Sequence, residues 1–247
     1  MRTVGIIPAR YASTRFPGKP LADLAGKPMI QWVYERAGQS SRLDRLLVAT
    51  DDDRIFETVV AFGGEALLTS PEHPSGTDRL AEAGRMLQLS DDDVVINIQG
   101  DEPLLDPIMV DLLADALVGA RLCPMATLAC ESSDGEVFAN PNVVKVVVDD
   151  QWRALYFSRS PIPWRRDSGP GVQTFLRHLG FYAYRQKFLQ QFTRLSPGKL
   201  EALEQLEQLR ALEHGFAVQV ARSPVETVGV DTPDDLHMVV TQFLAGN

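Results

Sequence analysis

Strand-length apolar runs alternate with helix-period segments through the first hundred residues, and nothing else in the chain restricts its fold so strongly. Residues 3–7 are β-branched and apolar, and residues 28–37 follow with Met29, Ile30, Val33 and Ala37 on one helical side. A second buried strand is expected at 45–50. Asp51, Asp52 and Asp53 then offer N-cap chemistry to a helix carrying Ile55, Val59 and Phe62, which Gly63 and Gly64 stop. A short strand at 65–68, a helix at 77–89 and a strand at 94–99 continue the alternation. This order predicts a parallel sheet with helices on both faces.

The second half is less regular. A strand at 143–148 is placed to pair with 154–158 across a turn at 149–151. Residues 162–172, rich in Pro, Gly and Arg, read as a mobile loop. Residues 200–214 read as one helix with Leu203, Leu206, Leu209 and Leu212 at threefold spacing. A last helix opens at Thr232, with Pro233 at its first position and acids in its first turn. No repeat and no long linker divides the chain. The expected architecture is one α/β domain over 1–247: a mostly parallel central sheet flanked by helices, with an inserted β-rich lobe at about 123–185.

A chain of 247 residues with 45% hydrophobic and 23% charged residues can bury a sizeable core. Its net charge of −9 argues against a nucleic-acid partner or a general anionic-membrane partner, although a local basic cluster can still bind a small anion. Cys123 and Cys130 are spaced neither as a metal pair nor as a disulfide framework, and reduced, buried thiols suit a cytoplasmic protein. The apolar run at the N-terminus is too short for a signal sequence or a membrane span.

Chemistry concentrates after the first strand. The stretch from Pro8 to Leu21 combines Arg10, Arg15 and Lys19 with Ser13, Thr14 and Gly18, at the strand end where open α/β sheets bind ligands. Such a loop can present N–H groups and cations to a triphosphate. Its composition alone is equally compatible with a solvated basic loop. It is not a Walker A loop, and the absence of GxGxxG disfavours a dinucleotide-binding dehydrogenase. The strand at 94–99 runs into Gly100-Asp101-Glu102-Pro103, which places a carboxylate beside bound phosphates, where Mg²⁺ takes one or two such ligands. Asp231, in Gly229-Val230-Asp231-Thr232-Pro233, offers a second acid, while helix capping accounts for it equally well.

The string Ala9-Arg10-x-x-Ser13-x-Arg15-x-Pro17-Gly18-Lys19-Pro20-Leu21, with Gly26-Lys27-Pro28-Met29-Ile30, resembles the signature of sugar-nucleotide pyrophosphorylases and cytidylyltransferases. Adding the two acidic motifs, His73-Pro74-Ser75-Gly76-Thr77-Asp78-Arg79, Tyr156-Phe157-Ser158-Arg159-Ser160-x-Ile162-Pro163-Trp164, Arg177-His178-Leu179-Gly180-x-Tyr182 and Leu206-Glu207-Gln208-Leu209-Arg210, nearly the whole chain resembles the 3-deoxy-manno-octulosonate (Kdo) cytidylyltransferase family. The resemblance implies the nucleotide-diphospho-sugar transferase-like fold and the reaction of CTP with Kdo to give CMP-Kdo and pyrophosphate. It also implies Mg²⁺ as cofactor, a homodimer, and a cytoplasmic role in lipopolysaccharide biosynthesis.

By that resemblance Ala9, Arg10, Ser13, Lys19, His73, Ser75, Gly76 and Thr77 contact CTP. Gln99, Arg159, His178, Tyr182, Glu207 and Gln208 line the sugar pocket, with Arg159 gripping the sugar carboxylate. Asp101 and Asp231 hold the metal, and with Lys19 they form the catalytic set. By residue type alone, His178 and Tyr182 equally suit a half-buried strand, His73 a loop, and Glu207 the wet side of a helix.

Overall fold

The computed structural model describes residues 1–12, 16–166 and 174–245. In chain order the elements are β1 (Thr3–Ala9), β2 (Asp23–Leu24), β3 (Lys27–Pro28), α1 (Met29–Ala37), β4 (Arg45–Thr50), α2 (Asp53–Ala61), β5 (Ala66–Leu68), α3 (Gly76–Met86) and β6 (Val94–Asn97). There follow α4 (Pro107–Gly119), β7 (Met125–Ser132), α5 (Gly135–Ala139), β8 (Lys145–Val148), β9 (Ala154–Ser158) and β10 (Phe175–Arg185). The chain ends with α6 (Gln186–Phe192), α7 (Lys199–Glu204), α8 (Leu209–Glu213), β11 (Val218–Arg222) and α9 (Pro233–Ala245).

A nine-stranded sheet organises the molecule in the order β11-β7-β10-β6-β1-β4-β5, with β8 and β9 continuing from β10 off that path. Strands β6, β1, β4 and β5 pair in parallel, as expected from the alternating first half. Strand β10 runs antiparallel to both its neighbours, β6 and β7, and β11 is parallel to β7. The β8–β9 hairpin joins β10 at Leu176 and Arg177. Within the expected lobe, β7 and β10 thus belong to the main sheet, and the hairpin extends it.

Alternation along β1 divides the core between two faces. Ile7 and Ala9 pack with Val33 of α1, Ile55 of α2 and Met109 of α4. Val4 and Ile6 pack with Leu80 of α3, Phe188 of α6 and Leu209 of α8. The predicted stripe of α1 is fully buried. Asp52 caps α2 by accepting a bond from the Arg54 N–H, and Gly63 takes a left-handed φ of 84° where the chain leaves it. Both cysteines are buried and free. No helix among the described residues is long and apolar enough to cross a membrane.

The helix expected over 200–214 is instead two, broken at Gln205, whose φ is 53°. A threefold spacing advances about 300° per step, so the four leucines drift off any one face of a straight helix. Leu203 is 81% exposed, whereas Leu209 is fully buried. The break turns Glu207 and Gln208 inward. Of the loop expected at 162–172, residues 162–166 have no regular structure and the remainder lies outside the described residues, as does Ser13.

Lys145, on β8, is completely buried. Its ammonium donates to the carbonyls of Asn140 (3.1 Å), Val143 (2.6 Å) and Arg159 (2.5 Å), so each of its protons has an acceptor. These bonds tie the turn before β8 to the chain leaving β9. Lys145→Met removes the donor shared by these three carbonyls, and we expect it to cost ~1–3 kcal/mol of stability, measured by urea unfolding. A change below ~0.5 kcal/mol would rule out this role.

Candidate active site

The carboxyl ends of β1 and β6 open onto a cavity of about 280 Å³ lined by Pro8, Ala9, Arg10, Lys19, Pro20, His73, Ser75, Gly76, Arg79, Gln99, Gly100, Asp101 and Asp231. Gly18, at φ 72°, permits the sharp turn that presents Lys19, and a side chain there would press on the Tyr11 ring at 3.1 Å. Its N–H donates to the Tyr11 carbonyl at 2.9 Å, closing the loop on itself.

The Lys19 ammonium donates to Asp101 Oδ2 at 2.8 Å and to the Val230 carbonyl at 2.8 Å, and lies 3.5 Å from Asp231 Oδ1. Two acids from distant parts of the chain therefore face one cation. Asp101 follows β6 through Gly100, while Asp231 precedes α9, where Asp235 accepts bonds from the N–H groups of Asp231 and Thr232. Two hard carboxylate oxygens converging on a positive charge suit a magnesium ion, which completes its shell with water and phosphate oxygens. No cluster of three or more His, Cys, Asp or Glu side chains placed to hold a metal exists among the described residues.

Across the cavity, α3 points its N-terminus inward. Ser75 caps it, accepting from the Asp78 N–H and donating to Asp78 Oδ2 at 2.7 Å. Uncommitted N–H groups and the helix dipole favour an anion here. His73 is held by Glu82, Nε2 to Oε2 at 2.5 Å. The Glu82 carboxyl is also desolvated, but its bonds from His73 and the Ser70 N–H keep it below the ordinary carboxylate range. Arg79 is buried, donating to Thr69 at 2.6 Å and pairing with Asp51 at 3.2 Å.

A second cavity of about 300 Å³ lies along β10, lined by Asn142, Val143, Val144, Arg177, His178, Gly180, Tyr182, Leu206 and Gln208. Gln99 connects the two by donating to the Gly180 carbonyl at 2.7 Å. Thr77 donates to Glu207, Oγ1 to Oε2 at 2.7 Å, and neither residue is part of the lining of either cavity. Burial raises the Glu207 carboxyl, opposed by Thr77 and Arg210. His178 is buried on β10, its ionisation pushed down to about 3 by desolvation, so the ring is neutral.

Of the nucleotide set, Ala9, Arg10, Lys19, His73, Ser75 and Gly76 meet at the first cavity, with Thr77 one residue further along α3 and its hydroxyl committed to Glu207. Of the sugar set, His178, Tyr182 and Gln208 meet at the second, and Gln99 lies between them. Arg159 lines neither. Its guanidinium donates to the carbonyls of Glu204 (2.7 Å), Pro141 (3.0 Å) and Gln205 (3.4 Å), bracing the turns around the second cavity. Arg79 and Arg177 also line the cavities, and both lie within the strings that carry the family resemblance. Asn142 carries no sequence signal of its own.

Behind Asp101, Glu102 accepts from the Thr227 hydroxyl at 2.7 Å. Burial, with the neighbouring charges of Asp101 and Asp231, pushes its carboxyl up to about 7.

A family model described as cytidylyltransferase matches residues 4–223. A Syntrophobacter fumaroxidans protein named 3-deoxy-manno-octulosonate cytidylyltransferase is 63% identical over 240 residues, spanning 97% of this chain and 96% of its own. A Vibrio cholerae protein of the same name is 51% identical over 240 residues, spanning 95% and 94%. Among solved structures, a CMP:2-keto-3-deoxy-manno-octonic acid synthetase complexed with CTP matches with a TM-score of 0.94 at 43% identity over 100% of both chains. A cytidylyltransferase from Leptospira borgpetersenii shares the fold, with a TM-score of 0.65 at 16% identity over 99% of this chain and 87% of its own.

The Glu102 carboxyl makes stability depend on pH with a definite sign. Between the ordinary value of 4.5 and about 7, the folded chain keeps a proton that the unfolded chain has lost. Its contribution to stability therefore falls as pH rises through that window. Glu102→Gln should flatten this fall and stabilise the protein most above the window, as read from urea midpoints at about pH 5 and about pH 8. An unchanged pH profile would remove the assignment.

Proposed function

The chain belongs to the 3-deoxy-manno-octulosonate cytidylyltransferase family, and from that premise we propose that its two joined cavities hold CTP and Kdo for direct nucleotidyl transfer. The reaction is CTP plus Kdo giving CMP-Kdo and pyrophosphate. The observation that carries the site assignment is the convergence of Lys19, Asp101 and Asp231 at the floor of the first cavity, with the second cavity opening beside it.

The anomeric hydroxyl of Kdo attacks the α-phosphorus of CTP, and the bond to the pyrophosphate oxygen breaks. Such a transfer needs alignment and charge neutralisation more than covalent help. Arg10 and the N-terminus of α3 bind triphosphate oxygens, and Lys19 neutralises charge on the departing pyrophosphate. Ser13, Ala9, His73, Ser75, Gly76 and Thr77 complete the nucleotide side. Gln99, His178, Tyr182, Glu207 and Gln208 orient the sugar, while Arg159 shapes that pocket through the turns it braces. Asp101 and Asp231 would hold Mg²⁺, which when bound supplies Lewis-acid polarisation of phosphate oxygens and of the attacking hydroxyl. The reading includes a homodimer in the cytoplasm whose product enters lipopolysaccharide biosynthesis.

Purified protein should release pyrophosphate when CTP, Kdo and Mg²⁺ are all present and not when any is omitted. Asp101→Asn and Lys19→Ala should each lower kcat by ~10²–10³ while leaving the circular dichroism spectrum unchanged. Wild-type turnover by either folded variant would withdraw that residue from the catalytic set.

A further inference from the structure

Strand β10 departs from regular pairing with β7 between Leu179 and Tyr182: Leu179 faces Leu128, whereas Tyr182 faces the adjacent residue, Thr127. Thr127 is fully buried at the centre of this irregularity. Its hydroxyl oxygen lies 2.7 Å from the Phe181 carbonyl, 3.3 Å from the Leu179 carbonyl and 2.9 Å from His178 Nε2.

A hydroxyl has one proton, and a carbonyl can only accept. Two oxygens 2.7 Å apart require a proton between them, which here is the Thr127 hydroxyl proton, donated to Phe181. The hydroxyl has no second proton for His178, so Nε2 must be the donor and Thr127 Oγ1 the acceptor. The ring, neutral because it is buried, then has its proton on Nε2 and a bare lone pair on Nδ1. Phe157 packs edge-on against this ring at 4.9 Å, and Tyr182 lies 5.6 Å away, which fixes its orientation.

We propose that Thr127 is a positioning residue that locks His178 in the Nε2–H tautomer, so that Nδ1 accepts a hydrogen bond from a hydroxyl of the sugar. Among the described residues Nδ1 has no other hydrogen-bond partner. On the same cavity, the Gln208 amide nitrogen is buried without a partner. The pocket wall therefore offers an acceptor and a donor, and a hydroxyl-bearing ligand can answer both. His178 recognises a hydroxyl proton here; a neutral ring with a bare nitrogen does not attract a carboxylate.

The proposal rests on the sugar assignment of the second cavity, so its test begins without substrate. A long-range proton–nitrogen spectrum of protein carrying ¹⁵N-histidine, assigned with His178→Gln, should show His178 as Nε2–H at neutral pH. An Nδ1–H or imidazolium pattern would overturn the lock. Adding Kdo should perturb Nδ1 rather than Nε2. Thr127→Val should mix the tautomers and raise the KM for Kdo about tenfold with the KM for CTP within about twofold, while Thr127→Ser restores both readouts. If Thr127→Val fails to fold, the wild-type spectrum and Thr127→Ser still decide, because a serine hydroxyl must preserve the pattern. An unchanged Kdo KM in folded Thr127→Val would overturn the hydroxyl contact. Absence of any turnover with Kdo would refute the proposed function instead, leaving the tautomer measured.

Discussion

The first cavity depends on one ammonium, that of Lys19. Asp101 and Asp231 come from distant parts of the chain, and without a cation between them their like charges repel. Lys19 supplies that cation and, through the Val230 carbonyl, also fixes the backbone that carries Asp231. The same junction is sealed by apolar contacts, with Leu24 and Met29 packing against Val230 and Val239 beneath the loop. Electrostatics and burial thus agree on a single arrangement, in which the N-terminal loop, the end of β6 and the start of α9 meet. Such agreement gives the first cavity one defined floor.

What the sequence made legible follows from how local the cause is. The parallel half could be read because each strand and helix there carries its own period and caps: the α1 stripe, the Asp52 cap and the Gly63 stop all behave as their residue types dictate. Lys19, Asp101 and Asp231 each stand in a local motif that the sequence displays, and the fold brings the three together. The leucines of 200–214 have a threefold spacing that resembles a helical stripe without forming one. The turn at Gln205 instead serves the pocket, burying Leu206 and Gln208 while Leu203 stays in water. Tertiary demand overrode helix propensity there.

Arg159 and Thr127 show the limit from two sides. Arginine as a residue type suggests a carboxylate partner. Here the acceptors are backbone carbonyls brought together by α7 and by the turn before β8, which no local pattern announces. Thr127 sits in the run Met125-Ala126-Thr127-Leu128-Ala129 and reads as an ordinary β-branched strand residue. Its importance arises from what β10 places opposite it, and that pairing joins residues about fifty positions apart.

The irregularity in β10 also explains how one strand serves both the core and the cleft. Moving from Leu179 to Tyr182 advances β10 by three residues while its partner advances by one, so two residues are extra. A single extra residue would flip every following side chain to the opposite face. Two extra residues preserve the alternation. Leu179, Phe181 and Ala183 accordingly share one core face, and Tyr182 and Tyr184 pack on the other. The added length goes into the backbone at Gly180, which turns its carbonyl to Gln99. Thr127 donates its one hydroxyl proton to the Phe181 carbonyl just past Gly180, with the Leu179 carbonyl 3.3 Å away on the other side. The bulge therefore leaves packing intact while moving polar backbone into the passage between the two cavities.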